Sequence, residues 1–313
     1  MRFESPYQHG PAQRRLLAGL DAKPDPSVKQ LLFLAAESAA QGFDGFERYA
    51  AALEAYGRKD IQRFVDWHRT IWQTVRAIPG LEAMLDDTPL ATALYAIDKP
   101  YFEIGAVHPD KLLIVFTTMF NNFEISNLAL LALLRPLGVS LLFLKDGSRF
   151  NYLNVIPGIG KDFESAARRI AANNARNGFR EVYISGFSSS GYASLLMTMA
   201  VPCTAYLGFS IRSDISEGPD FNAGEHFTAE IRDQVPPSLH HDLAPMINRS
   251  GQAVAYRLFY GSLNALDKRH ARHLAGIPNV VLEELEGCYH GTVVRRLLDG
   301  QLLADFRSLM FEA

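Results

Sequence analysis

The feature that most constrains the fold is an alternation of short apolar runs with helical segments after about residue 90. The run at 111–116 (KLLIVF) is apolar along nearly its whole length, which is typical of a strand covered on both faces in a parallel sheet. Further strand-like runs lie at residues 101–106, 139–144, 182–185, 205–209, 253–260 and 280–284. This alternation predicts an α/β fold with a doubly wound, mostly parallel sheet. Ligands bind such sheets at the carboxyl ends of the strands, so functional residues are expected there.

The first part of the chain has a different pattern. From residue 27 to residue 78, apolar residues recur at helical spacing without any strand signal. The apolar stripes are Leu31, Leu32, Ala35 and Ala39, then Phe46, Tyr49, Ala50 and Leu53, then Phe64, Trp67, Ile71 and Val75. We predict a helical N-terminal extension over residues 1–92, followed by an α/β domain over residues 93–313. We expect the stripes to form core, the alternative being a ligand groove lined by Trp67, Trp72 and Phe64. A protein partner or a second copy of the chain could bind through these helices.

Charge and cysteine content exclude several classes of protein. The formal net charge of −3 over 313 residues gives no electrostatic basis for binding nucleic acid or an anionic membrane. The two cysteines, Cys203 and Cys288, lie far apart, so we expect neither a disulfide framework nor a metal site. There is no apolar run long enough to span a membrane, and we expect no secretory leader because the first residues include no apolar h-region. We therefore expect a cytoplasmic protein that needs no cofactor.

Three consecutive serines lie where a predicted strand turns directly into a helix. A nucleophilic serine at such a sharp turn projects its Oγ above the sheet. Its neighbours two residues before and two after must be small, because strand and helix approach closely there. Ser188 satisfies this requirement with Gly186 and Ser190, whereas Ser189 would place Phe187 in the crowded position. We predict Ser188 as the nucleophile, and the alternative is a serine-rich helix cap.

These residues carry a resemblance to a known superfamily. With Gly186, Ser188, Gly191 and Tyr192, the chain resembles the α/β hydrolases, and most closely the esterase-like members with a G-x-S-x-G-G-Y turn. Ser190 stands where those members usually have glycine. The resemblance covers roughly the last two thirds of the chain. It implies an α/β-hydrolase fold and a catalytic triad in the chain order serine, acid, histidine.

The resemblance also implies where the other two triad residues lie. His290 follows the last predicted strand on a glycine-flanked loop, where a base can reach the nucleophile. Asp267 follows the strand before it and is the predicted acid. Asp214, after an earlier strand, is the rival acid. Asn264 stands at the more usual spacing, and a triad with an asparagine or without an acid is also open, since triads depend on geometry.

Two further features complete the predicted site. The oxyanion hole should use the backbone amide of Ser189 together with an amide from the loop after the 111–116 strand, either Met119 or Thr118. The His-Gly pair that is common in relatives is missing from this loop. A polar insertion at about 214–250 is interpreted either as a lid over the site or as a surface excursion.

Together these residues predict a serine hydrolase. Ser188 would attack an ester, His290 would act as base and then acid, and Asp267 would orient the imidazole. The expected substrate is an ester of a small molecule or of an O-acylated saccharide. The alternatives are an acyltransferase that uses the same acyl-enzyme and a hydrolase fold without catalysis that serves in binding.

Overall fold

The structure is a computed structural model that describes residues 47, 50, 54, 59–146, 152–216, 235–250 and 253–312. The strands are β1 (Tyr101–Glu103), β2 (His108–Phe116), β3 (Val139–Leu144), β4 (Glu181–Phe187), β5 (Ala205–Phe209), β6 (Ala255–Gly261) and β7 (Val280–Leu285). The helices before the sheet are α1 (Lys59–Arg76), α2 (Leu81–Leu85) and α3 (Thr88–Tyr95). The later helices are α4 (Asn127–Leu134), α5 (Phe163–Arg176), α6 (Gly191–Ala200), α7 (Leu243–Arg249), α8 (Ala265–His273), α9 (Thr292–Leu298) and α10 (Leu302–Phe311). Short 3₁₀ turns lie at Arg135–Leu137, Ser188–Ser190 and Pro237–Leu239.

The seven strands form one sheet in the order β1-β3-β2-β4-β5-β6-β7. β1 pairs antiparallel with β3, and all the other neighbours pair parallel. The doubly wound, mostly parallel sheet predicted from the sequence is therefore confirmed. The chain passes from β3 on one side of β2 to β4 on its other side. The carboxyl ends of β2 and β4 consequently border a crevice of the kind in which ligands bind.

Each face of the sheet is covered by its own core. Along β2, Leu113 and Val115 belong to one core, whereas Leu112, Ile114 and Phe116 belong to the other. The alternation follows from the two-residue period of a strand. The apolar sequence of the whole run is explained because both sets of side chains are buried.

Helices α1–α3 share the first of these cores with the sheet. Trp72, Leu81 and Leu94 are buried in the same cluster as Val115 of β2. The cluster also contains α4, of which every residue is buried. The first helices thus pack directly on the α/β part of the molecule, while the division of the chain near residue 92 stays a prediction.

The buried face of α1 differs from the predicted stripe. Trp67 is 50% exposed, whereas Val65, Trp72 and Val75 are buried and Ile71 packs partly against them. At about 100° per residue, Trp67 lies roughly 200° around the helix from Val65, which places it on the outer side. The prediction that Trp67 belongs to the stripe is wrong, because the core selects the arc centred near Trp72.

Parts of two other predictions fall outside the described residues. Of the predicted stripes at 31–39 and 46–53, only Ala50 is among the described residues, and it is buried. The centre of the polar insertion, residues 217–234, lies outside the described residues as well. Within the described part of the chain, no helix combines the length and the apolar character required to cross a bilayer.

Candidate active site

Ser188 lies at the turn where β4 becomes α6. The strand ends at Phe187, a single 3₁₀ turn follows, and α6 begins at Gly191. Ser188 has a backbone φ of 52°, in the left-handed region that residues with a side chain rarely adopt. Strained backbone of this kind is typical of functional positions. The arrangement matches the sharp strand-to-helix turn predicted for a nucleophile.

The small residues around the turn are required by close packing. A Cβ at Gly186 would overlap the side chain of Ser194 on α6. A Cβ at Gly191 would lie 2.6 Å from Cβ of Ile211. Strand β4, helix α6 and the chain after β5 therefore approach one another as closely as glycine allows.

Ser190 stands where the turn that this chain resembles usually has glycine, and it is accommodated because its hydroxyl is fully hydrogen-bonded. Its side chain is 1% exposed. The Oγ donates toward the carbonyl oxygens of Phe116 at 2.7 Å and Phe187 at 2.9 Å, and it accepts the Phe187 N–H at 3.2 Å. The extra polar group thus ties the turn to the end of β2 and leaves no unpaired donor.

The structure brings Ser188, His290 and Asp267 into one hydrogen-bonded chain. Nε2 of His290 lies 2.6 Å from Oγ of Ser188, and Nδ1 lies 2.8 Å from Oδ2 of Asp267. His290 is on the loop between β7 and α9. Asp267 is in the first turn of α8 and is 5% exposed. Asn264 caps this helix through the amides of Leu266 and Asp267, so the Asp267 carboxylate is available to the imidazole.

Asp214, the rival acid, lies in a different cluster. Its Oδ1 accepts the N–H of Ser216 at 2.7 Å. Its carboxylate lies within 4.8 Å of ligand atoms of Asp242 and His273, which bond each other at 2.7 Å. The geometry therefore favours Asp267 over Asp214 as the partner of the histidine.

Two distant side chains hold the loop that carries His290. Oγ of Ser210 donates to the backbone carbonyl of His290 at 2.8 Å. Oε2 of Glu124 accepts the N–H groups of Val293 at 2.9 Å and Val294 at 3.0 Å. These amides belong to the first turn of α9, where a helix offers donors without internal acceptors. The loop is thus anchored at His290 and again just after it, at the start of α9.

Two carboxylates act on the charge of this imidazole. Desolvation of the His290 ring disfavours its charged form. The hydrogen bond and the charge of Asp267, together with the charge of Glu124, outweigh this effect and raise the pKa of His290. Burial raises the pKa of Glu124 to about 7, against the opposing effects of the Val294 and Val293 amides and of His290. The site is therefore arranged to stabilise an imidazolium.

The residues predicted for the oxyanion hole also meet beside Ser188. The N–H of Thr118 is bonded to the carbonyl of Asn122 at 2.7 Å, which removes it as a donor. The N–H of Met119 donates to Oγ of Ser189 at 3.1 Å. A substrate oxygen can take the place of this hydroxyl as acceptor, so Met119 rather than Thr118 fits the second amide. The Ser189 N–H lies in the first turn after the strand, where amides lack internal acceptors.

Three residues near the site were missed from the sequence. Ser210 and Arg212 directly follow the carboxyl end of β5, and the rule that ligands bind at strand ends could have identified both. Glu124 lies 169 residues before Val293, and no local pattern marks it.

The comparisons with known proteins concern the fold. No protein-family model matches the chain, and no curated protein matches it. One similar solved structure is a carboxylesterase of the thaumarchaeon Nitrososphaera gargenis (11% identity, TM-score 0.48, 68% of this chain and 96% of that one). Another is Est1E of Butyrivibrio proteoclasticus with ferulic acid bound (12% identity, TM-score 0.46, 67% and 94%). A third is an α/β hydrolase from a lagoon-sediment metagenome (12% identity, TM-score 0.43, 67% and 93%). The order and direction of the strands in this chain establish its α/β fold independently of these structures.

Proposed function

We propose that the protein is a serine hydrolase that cleaves a carboxylic ester through an acyl-enzyme on Ser188. The observation that supports this most directly is the hydrogen-bonded chain from Ser188 through His290 to Asp267. Its distances are those at which a base accepts a proton from a nucleophile and is oriented by a third group. These three side chains lie beyond the carboxyl ends of β4, β6 and β7, beside the crevice of the sheet.

In the first half of the reaction, Oγ of Ser188 attacks the carbonyl carbon of the ester while its proton passes to Nε2 of His290. The oxygen that becomes negative accepts the N–H groups of Ser189 and Met119. Asp267 accepts the Nδ1–H, which fixes the tautomer and stabilises the imidazolium. The imidazolium then gives its proton to the departing alkoxide, and the acyl group remains on Ser188.

In the second half, His290 accepts a proton from water as the water attacks the acyl-enzyme. The protonated imidazole returns the proton to Oγ of Ser188 when the acid departs. The His290 side chain is 44% exposed, so solvent reaches the base. A second alcohol in place of water would make the protein an acyltransferase. Adding alcohols during turnover tests the choice, because transfer diverts product from the acid to the new ester.

A fluorophosphonate probe tests the proposal, since it reacts with an activated serine and needs no knowledge of the substrate. We expect the wild-type protein to be labelled and to hydrolyse short acyl esters, and Ser188→Ala to abolish both activities. Ser189→Ala is the matched control and should still be labelled. Labelling of Ser188→Ala at the wild-type rate would show that another residue reacts, and absence of labelling in the wild type would favour a binding role.

A further inference from the structure

Arg212 lies beside the triad between two segments that are tied to it. Two residues before it, Ser210 donates to the carbonyl of His290 at 2.8 Å. One residue after it, the N–H of Ser213 donates to Nδ1 of His270 at 3.2 Å. His270 follows Asp267 by three residues on α8, one turn along the same side of the helix. Arg212 is therefore held where the His290 loop and the helix that supplies the triad acid meet.

Arg212 is partly buried, and its guanidinium makes no hydrogen bond and no ion pair with any residue that the structure describes. Other partly buried arginines are paired: Arg257 with Glu283 at 2.5 Å and Arg296 with Asp305 at 2.7 Å. A guanidinium has five N–H donors and no acceptor, and leaving such a group unpaired away from water is costly.

The charges around Arg212 are mostly those of the site. Burial lowers the pKa of Arg212, and the charge of Asp267 opposes this effect. In turn, the positive charge of Arg212 disfavours protonation of His290 and of His270. Asp267 and Glu124 both lie near the imidazole. They would repel an anionic substrate unless a positively charged side chain paired with its negative group.

We propose that Arg212 binds a carboxylate of the substrate, so that the preferred substrates are esters that carry a free carboxylate near the scissile bond. The inference rests on the proposed ester hydrolysis. The planar guanidinium matches the two oxygens of a carboxylate, and such paired, charge-assisted hydrogen bonds are among the strongest in proteins. The substrate would thus supply the acceptor that the described part of the chain does not.

The test compares acids with their methyl esters, which are nearly the same size but uncharged. One pair carries the charge on the acyl side, mono(4-nitrophenyl) glutarate and its methyl ester. The other carries it on the alcohol side, 4-acetoxybenzoate and its methyl ester. We expect the wild type to prefer the acid in at least one pair. Arg212→Gln should lower kcat/KM for that acid roughly 10- to 100-fold, as for a lost charged hydrogen bond, and change the methyl ester little.

Arg180→Gln is the control, because Arg180 is exposed and pairs with Asp110 near the opposite ends of the strands. Arg180→Gln should leave kcat/KM unchanged for the acid and for the methyl ester of each pair. A wild type without preference for either acid contradicts the proposal. So does an Arg212→Gln protein that keeps the preference or loses activity equally toward acid and methyl ester, since an equal loss means that Arg212 acts on the triad alone.

Binding of glutarate separates this inference from the proposed function. If no ester is hydrolysed and Ser188 is not labelled, ester hydrolysis fails as the function, and calorimetry with glutarate then decides on Arg212. Glutarate should bind the Ser188→Ala protein, and adding Arg212→Gln should weaken its binding at least about 10-fold. Equal binding by both proteins, or binding by neither, overturns the assignment of Arg212.

Discussion

Three residues with left-handed backbone lie around the segment that carries His290. Ser188, Glu124 and Ser210 have φ values of 52°, 64° and 46°, and each contacts His290 or the residues that follow it. Each such conformation costs about 1–3 kcal/mol in a residue other than glycine. The surrounding packing must therefore offset this strain, and at each position the side chain bonds either His290 itself or the first turn of the helix that follows it.

The choice of acid can be tested at the level of a single residue. Asp267→Asn keeps the shape of the side chain but removes the charge that stabilises the imidazolium. We expect kcat to fall by roughly 10⁴-fold, as for the same change in a serine protease triad, with the fold retained. Rates on a neutral ester, with circular dichroism to confirm folding, measure the effect. Asp214→Asn is the matched control and should be mild, and a larger loss in that variant would identify Asp214 as the acid.

The elements that flank the triad differ in how their first turns are capped. Helix α8 has its own cap in Asn264, which leaves Asp267 for the histidine. Helix α9 begins after Gly291, which offers no side-chain cap. Its amides are instead accepted by Glu124 from the loop after β2, and a Cβ at Gly291 would lie 2.5 Å from Oε1 of that carboxylate. The absence of a side chain at Gly291 therefore leaves room for the Glu124 carboxylate, which caps α9 and also places a charge near His290.

Glu124 should influence the pH dependence of the reaction. Glu124→Gln keeps an acceptor for the α9 amides but removes a negative charge that raises the pKa of His290. The pKa of His290 should then fall. Because the reaction needs the neutral base, the acidic limb of kcat/KM for a neutral ester should move to lower pH. We also expect kcat/KM at its optimum to fall roughly 10-fold, as for the loss of about 1.5 kcal/mol of charged hydrogen bonding.

Ser210→Ala is the control for this effect, since it loosens the same loop without changing a charge. It should lower the rate and leave the acidic limb in place. The same limb in Glu124→Gln as in the wild type would mean that Glu124 acts only as a cap. The free energy of unfolding measured as a function of pH gives a second readout. Because the folded pKa of Glu124 is about 7 against an ordinary 4.5, its ionisation lowers stability as pH rises through that range, and Glu124→Gln should lack this contribution.

At the scale of the whole molecule, the N-terminal helices contribute to the core of the α/β sheet. Trp72 of α1 is 3% exposed and lies in the same cluster as Phe209 of β5 and Phe306 of α10. The cluster joins segments of the first helices, the central strands and the last two helices. We therefore expect the helices and the sheet to unfold together.

The two tryptophans of the chain provide a direct test. Trp72→Ala should lower the free energy of unfolding by about 3–5 kcal/mol, the usual cost of truncating a buried aromatic side chain. Trp67→Ala removes the same side chain from the half-exposed side of α1 and should cost much less. Chemical denaturation followed by circular dichroism measures both. A larger loss in Trp67→Ala than in Trp72→Ala would contradict the assignment of Trp72, rather than Trp67, to the core.

Much of the fold was predictable because it depends on short-range physics. The apolar run of β2 identifies a strand buried on both faces, and alternation with helices identifies a parallel sheet. The sharp turn at Ser188 was predictable from local sterics, since Gly186 and Ser190 are small enough for the strand and the helix to approach closely there. The placement of His290 on the loop after the last strand was predictable from the order of the elements. All these arguments involve residues close together in the chain.

The tertiary structure decided what depends on segments far apart in the chain. The sequence left Asp267, Asp214 and Asn264 as alternatives, and the approach of α8 to the β7 loop separates them. Glu124 reaches the histidine loop across 169 residues, and Trp67 is exposed because the core lies on the other side of α1. Local spacing specifies strands, helices and turns. Which side chains meet depends on how those elements pack, and packing is a property of the whole chain.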